Sequence, residues 1–235
     1  MDPKPKLRTA VTFNPLDRSA ELFVSERNLP HWFQPGAAIF VTFRTIDSMP
    51  KEVILQWQRE LEAWLTQSGL PIALAASVVH GRFPDHDQMM RQLDPTQSIE
   101  FKRLSDRVFN RSLDECHGRC PFRDPKLAAE VAQTILHFDG QRYDLDRFVI
   151  MPNHAHAIVQ FRTGFDLSVV GQSWMRFSAR NINRLREESG AIWQPEPFDH
   201  IIRSDRQFAY LQGYISENPK KAKLRENEFL YWQRD

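Results

Sequence analysis

The stretch that decides the fold runs Tyr143-Asp-Leu-Asp-Arg-Phe-Val-Ile-Met151, then Pro152-Asn153, then His154-Ala-His156-Ala-Ile-Val-Gln-Phe161. Two runs rich in β-branched and aromatic residues flank a Pro-Asn pair suited to a tight connection, which predicts a β-hairpin. Strand side chains alternate between faces. His154 and His156 therefore point one way, while Ala155, Ala157, Val159 and Phe161 point the other. The second set can pack and the first can bind. Residues two apart on one face have backbones roughly 7 Å apart, a span that two imidazoles can bridge to one metal ion. The alternative is two unrelated histidines on an edge strand.

Working outward, Ala38 to Arg44 alternates as a strand, and Val53, Trp57, Leu61, Trp64 and Leu65 fall at amphipathic-helix spacing before Gly69. Ile72 to Val79 reads as a second strand. Gly81 to Phe122 is polar, carries prolines and has one helical pattern from Ile99 to Leu113, so residues 81–119 are taken as an insertion. Asp124-Pro125 opens a helix that runs through Leu127, Val131 and Ile135 to the Asp139-Gly140 turn. A long helix is expected from Asp166 to Glu188, and a last one from Asp205 to Glu217, ended by Pro219. Residues 1–30 read as an arm and 31–235 as one domain. The order of elements predicts an α+β fold, an antiparallel sheet with helices packed on it.

With 235 residues, 41% of them hydrophobic, the chain can bury a sizeable core. A net charge of +1 neither demands nor excludes a nucleic-acid partner. The apolar runs are too short to span a bilayer and the first twenty residues lack a signal-peptide pattern, so a cytoplasmic protein without a membrane partner is expected. Cys116 and Cys120 flank His117, but no second Cys/His pair follows at zinc-finger spacing.

Two further patterns bear on chemistry. In Gly213-Tyr214-Ile-Ser-Glu-Asn218-Pro219, Tyr214 and Asn218 stand one helical turn apart, away from the Phe208, Leu211 and Ile215 face. Tyr214 could enter a site and Asn218 supply a carbonyl oxygen; equally, the two could be a packing residue and a helix cap. Arg176, Arg180 and Arg184 form a stripe on the long helix, suited to phosphates or simply solvated.

Taken with His31-Trp-Phe33, Val41-Thr-Phe-Arg44, Gly118-Arg-Cys120, Arg123-Asp-Pro125, His137-Phe-Asp-Gly140, Phe198-Asp-His200 and Ile202-Arg203, these motifs resemble the single-tyrosine transposases of the histidine-hydrophobe-histidine (HUH) class. The resemblance is to their REP-associated branch and covers about two-thirds of the chain. It departs at Ala155, where a bulkier hydrophobe is usual, and at Met175, where a lysine is usual.

The resemblance implies a ferredoxin-like HUH nuclease fold and a metal held by His154, His156 and Asn218. It also implies that Tyr214 cuts single-stranded DNA at hairpin-forming repeats, keeps the 5′ phosphate as a phosphotyrosine, releases a 3′ hydroxyl and rejoins the strand. Arg176, Arg180, Arg184 and Arg203 would contact nucleic acid. Imidazole suits Mn²⁺ better than Mg²⁺, so Mn²⁺ should bind more tightly and Mg²⁺ serve by abundance. A homodimer and a monomer both remain open. Two other functions compete: a metal-dependent phosphodiesterase that uses water, and a non-cutting module that grips nucleic-acid hairpins.

Overall fold

In the computed structural model, residues 11–26, 30–80 and 90–235 are described. The centre is a five-stranded antiparallel sheet in the order β6-β3-β5-β4-β7, with β3 at Ala38–Arg44, β4 at Tyr143–Ile150, β5 at His154–Phe161, β6 at Phe198–Ile201 and β7 at Leu230–Gln233. A separate pair, β1 (Phe23–Glu26) and β2 (Pro30–Phe33), is also antiparallel. The fold is α+β, as the pattern of elements predicts.

The expected hairpin is present. Met151 N donates to His154 O to close it, and β5 begins and ends where the alternation does. Ala155, Ala157, Val159 and Phe161 face a core shared with α4 (Pro125–Leu136) and α5 (Leu167–Arg186). Inside that core Trp174 Nε1 donates to Tyr143 Oη, which donates to Ile135 O, so both buried aromatics find polar partners. The opposite sheet face packs Phe40, Val149, Met151 and Ile158 against Leu211 and Ile215 of α6 (Asp205–Lys221).

A second core lies beside the sheet, built by α1 (Lys51–Gln67), α2 (Ala73–His80) and α3 (Pro95–Asp114). Asp94 caps α3 through the backbone N–H groups of Thr96 and Gln97, and Gln97 accepts from Asp94 N in return. The expected strand at Ile72 to Val79 is instead helix α2. A short continuous apolar run has no period to separate strand from helix, and here Leu74 and Ala75 are buried against α1 and α3 rather than paired in the sheet. α3 confirms and extends the helical pattern expected from Ile99 to Leu113. Residues 81–89 of the expected insertion, with residues 1–10 and 27–29 of the expected arm, lie outside the described residues. From residue 11 the chain is tied down: Asn14 N donates to Gln160 Oε1, Leu16 N to Ile202 O, and Phe13 packs on Phe208.

Pro219 does not end α6, which continues to Lys221. Proline removes one donor, but Asn218 and Pro219 are both buried, and their carbonyls accept from Ala222 N and Leu224 N. Burial of that last turn outweighs the missing bond.

One glycine is indispensable. Gly118 has φ +86°, and a Cβ there would lie 2.5 Å from the backbone oxygen of Asp47. Its neighbour Arg119 N donates to Asp47 Oδ2, and His117 O accepts from Asn153 Nδ2 in the hairpin turn. Gly118→Ala should therefore destabilise the protein by about 2 kcal/mol or more, through a disfavoured φ and a backbone clash. A urea midpoint equal to wild type would show that this loop is free to shift.

Candidate functional site

The site forms where the α6 face of the sheet meets the C-terminal end of α3. Strand alternation puts Thr42 and Arg44 of β3, His154 and His156 of β5, and Phe198 and His200 of β6 on this face; Thr42 pairs with His156 and Arg44 with His154. The two hairpin histidines are fully buried, with ring centroids 4.7 Å apart. His154 Nδ1–H donates to Asn153 Oδ1 at 2.8 Å, which leaves the Nε2 lone pair free. His156 Nδ1 bonds Thr42 Oγ1 at 2.9 Å. Both Nε2 atoms are buried without a hydrogen-bond partner. Such an atom costs about 1–3 kcal/mol unless something binds it.

Tyr214 reaches the histidines from α6, and Asn218 follows it one turn later on the same helix. The Tyr214 ring lies 5.3 Å from that of His156 and 6.0 Å from Phe40, centroid to centroid. Its hydroxyl and Asn218 Oδ1 are also buried and unpartnered. Asn218 Nδ2 donates to Asp114 Oδ1 at 3.2 Å, so the amide is oriented with its carbonyl oxygen left over. Of the sequence-derived set, His154, His156 and Tyr214 are thus in ring contact, and Asn218 stands one turn beyond Tyr214 on α6, bonded to Asp114. Among the described residues no three His, Cys, Asp or Glu side chains form a metal-binding group. A metal here would be held by two imidazole nitrogens and the Asn218 amide oxygen, its remaining positions left to water or substrate. The unpartnered Nε2 atoms, with each Nδ1 engaged by a neighbour, are the arrangement that metal-ligating histidines require.

Three participants were not among the sequence-derived site residues. His200 lies on the far side of Phe40 from His156, with both imidazole rings 5.2 Å from the Phe40 centroid, and its Nε2 is likewise buried and unpartnered. Asn153 orients His154, and its place directly before the histidine was the available signal. Asp114 orients Asn218 from 104 residues away, and nothing local marks it.

The arginines fall elsewhere. Arg176, Arg180 and Arg184 are exposed on α5, the helix that covers the opposite face of the sheet, so the fold does not bring them to the histidines. Arg203 is exposed just beyond β6, its guanidinium 5.5 Å from the Trp32 ring centroid. Cys120 Sγ donates to Cys116 O, and the two cysteines are free thiols.

Burial sets the site's electrostatics. It lowers His154 to about 3. It lowers His200 to about 4, aided by the charges of Lys102 and Arg203. His156 is lowered well below the ordinary value by burial and then by His154. Burial and then the Asp114 carboxylate hold the Tyr214 hydroxyl far above the phenol range, against the lowering influence of Asn218. Burial also raises Asp114 to about 6.

No protein-family model matches the chain. An uncharacterized protein of Haemophilus influenzae (strain ATCC 51907 / DSM 11121 / KW20 / Rd) is 28% identical over a 96-residue alignment that covers 32% of this chain and 53% of the relative, so the match spans about half of that relative's length. Among solved structures, that of a REP-associated tyrosine transposase bound to a REP hairpin aligns with a TM-score of 0.38 and 15% identity, over 81% of this chain and 71% of that one.

The buried imidazoles make stability depend on pH. They stay neutral in the fold while the unfolded chain takes up protons near pH 6.5, so their contribution is full above that value and is lost as pH falls toward 4 and 3. Each histidine removes on the order of 1 kcal/mol per pH unit across that window. Asp114 works in the opposite sense between its unfolded value and about 6, offsetting roughly one of the three. The metal-free protein should therefore show a lower urea midpoint at pH 5 than at pH 7, and His156→Gln should flatten the difference. Equal midpoints at the two pH values would mean that the rings are not buried as neutral groups.

Proposed function

We propose that this chain is a metal-dependent single-stranded DNA endonuclease and strand-transfer enzyme of the tyrosine HUH type, acting at hairpin-forming repeats. The observation that carries the reading is that His154, His156 and Tyr214 meet ring to ring while His154 Nε2, His156 Nε2, Tyr214 Oη and, one helical turn on, Asn218 Oδ1 are buried without a hydrogen-bond partner. Two neutral imidazoles and an amide suit a first-row divalent ion such as Mn²⁺, with Mg²⁺ the abundant substitute. Bound there, such an ion supplies a Lewis acid that polarises a phosphate oxygen and stabilises charge developing in the transition state.

The chain's own residues do the rest. An ordinary phenol is ionised in roughly one molecule per thousand at neutral pH, a deficit of about 4 kcal/mol for a nucleophile. Burial makes Tyr214 harder still to ionise, so its hydroxyl stays protonated until a substrate and a counter-charge arrive. Tyr214 Oη would then attack the phosphorus and release its proton to solvent, the bond from phosphorus to the 3′ oxygen would break, and the departing oxygen would take up a proton from solvent and leave as a 3′ hydroxyl. The 5′ phosphate stays on Tyr214 as a diester, which conserves the bond for attack by a second 3′ hydroxyl. His154 and His156 remain neutral and fixed by Asn153 and Thr42, and Asp114 holds the Asn218 amide by its nitrogen, leaving the oxygen over.

The nearest competing reading keeps the metal but lets water attack, with Tyr214 only orienting the phosphate. The two differ in product. With Mn²⁺ and a hairpin bearing a single-stranded flank, wild type should yield a covalent protein–DNA species on a denaturing gel, together with a free 3′ hydroxyl. Tyr214→Phe should yield neither, while Tyr210→Phe, one turn away, should retain most of the cleavage. Near-normal cutting by Tyr214→Phe would hand the site to the water mechanism.

Metal binding can be read separately by calorimetric titration of Mn²⁺. His156→Ala should abolish saturable binding, and Asn218→Ala should weaken it about tenfold, as expected for the loss of a weaker ligand. Unchanged Mn²⁺ affinity in His156→Ala would remove the metal from the proposal.

A further inference from the structure

We infer that the strand to be cut reaches Tyr214 along the groove between α3 and the C-terminal part of α6, with the arginines of α3 holding its phosphates. This inference rests on the reading of Tyr214 as the nucleophile and adds the path by which its substrate arrives.

The groove has a volume of about 830 Å³, and Tyr214 lies in its wall. Arg103, Arg107 and Arg111 come from α3, Lys221 and Lys223 from the end of α6, and Tyr210 from the turn before Tyr214. Against these five cations the lining sets three carboxylates, Asp106, Asp114 and Glu115. One of them, Asp114, is already engaged with Asn218. Arg111 is paired with Glu60 at 2.6 Å, but Arg103 and Arg107 have no carboxylate partner among the described residues.

Helical geometry makes these arginines a track. Positions 103, 107 and 111 recur every fourth residue, so they share one face and span about 12 Å along the axis, enough for a few nucleotides of extended strand. The track is held rigidly, because Phe101, Ser105, Val108 and Ser112 bury the other faces of α3 in the second core. Tyr210 is 68% exposed beside this charge, and a free aromatic ring next to a phosphate track is a stacking platform for an unpaired base. The groove ends at Tyr214, whose ring reaches the histidine face. No such path leads from the stripe on α5, which lies behind the sheet. Exposed bases and a flexible backbone fit this setting; a duplex buries its base faces and offers Tyr210 nothing to stack on.

The test measures binding by fluorescence anisotropy across a salt series, using an oligothymidine strand and a hairpin with an oligothymidine tail. Arg103→Ala/Arg107→Ala should fold as wild type does and lower the salt slope for single-stranded DNA by about 1.4, at roughly 0.7 for each phosphate no longer neutralised. Arg176→Ala/Arg180→Ala should leave that slope unchanged. Tyr210→Ala should weaken binding of the strand about tenfold while leaving its salt slope alone, since stacking releases no counterions. A tail carrying 5-iodouracil should cross-link to Tyr210 under ultraviolet light. An unchanged slope in Arg103→Ala/Arg107→Ala, or a loss confined to Arg176→Ala/Arg180→Ala, overturns the path. These outcomes are separable from failure of the nucleophile: a wild type that binds along the groove but forms no adduct sinks Tyr214 chemistry and leaves the path standing, whereas adduct formation with an unaffected slope does the reverse.

Discussion

Everything at this site depends on burying imidazoles that keep one nitrogen unpartnered. The β4–β5 hairpin sets His154 and His156 on the face opposite Ala155, Ala157 and Val159, and the apolar face is what pins the strand. A register slip of one residue would turn the histidines into the α4–α5 core and the alanines toward α6, so the packing of one face fixes the chemistry of the other. The unpartnered Nε2 atoms are a standing cost of a few kcal/mol, tolerated because the sheet is covered on both faces by large apolar clusters. On the proposed reading, a bound metal ion offsets that cost.

Much of this was legible in the sequence because it is local. The strand from His154 to Phe161, the same-face histidines and the one-turn spacing of Tyr214 and Asn218 all depend only on periods of 2 and 3.6. Where the period is silent the reading failed: Ile72 to Val79 is apolar throughout, and its helical state was decided by the α1 and α3 surfaces it packs on. Pro219 misled for a related reason. Proline's local preference ends a helix, and only the burial of the final turn of α6, invisible in a linear pattern, carries the helix past it.

The arginines show where local reasoning runs out altogether. Two helices carry arginines at four-residue spacing, α5 at Arg176, Arg180 and Arg184 and α3 at Arg103, Arg107 and Arg111. As sequence they are equivalent, each a stripe that could track phosphates or merely be solvated. Only the third dimension separates them, because one stripe lies behind the sheet and the other lines the groove in whose wall Tyr214 sits. Asp114 belongs to the same lesson, since its bond to Asn218 closes a separation that no motif spans.

Helix α3 therefore does two things that are physically linked. By packing Phe101, Val108 and Leu113 into the second core it becomes stiff enough to hold its last residue, Asp114, against Asn218, and the same stiffness fixes the arginines on its opposite face. A carboxylate placed beside a buried phenol opposes its ionisation, which by itself would work against a nucleophile. On the proposed reading the arrangement becomes favourable once cations enter on the same side: a phosphate drawn along Arg103 and Arg107 needs positive charge at the far end, and Asp114, by fixing the Asn218 amide nitrogen, leaves the amide oxygen over as third ligand beside two imidazole nitrogens. On the proposed reading, Tyr214 is held inert in the free protein and becomes reactive only when strand and metal are both in place, a safeguard suited to a chain whose chemistry would otherwise leave broken DNA attached to itself.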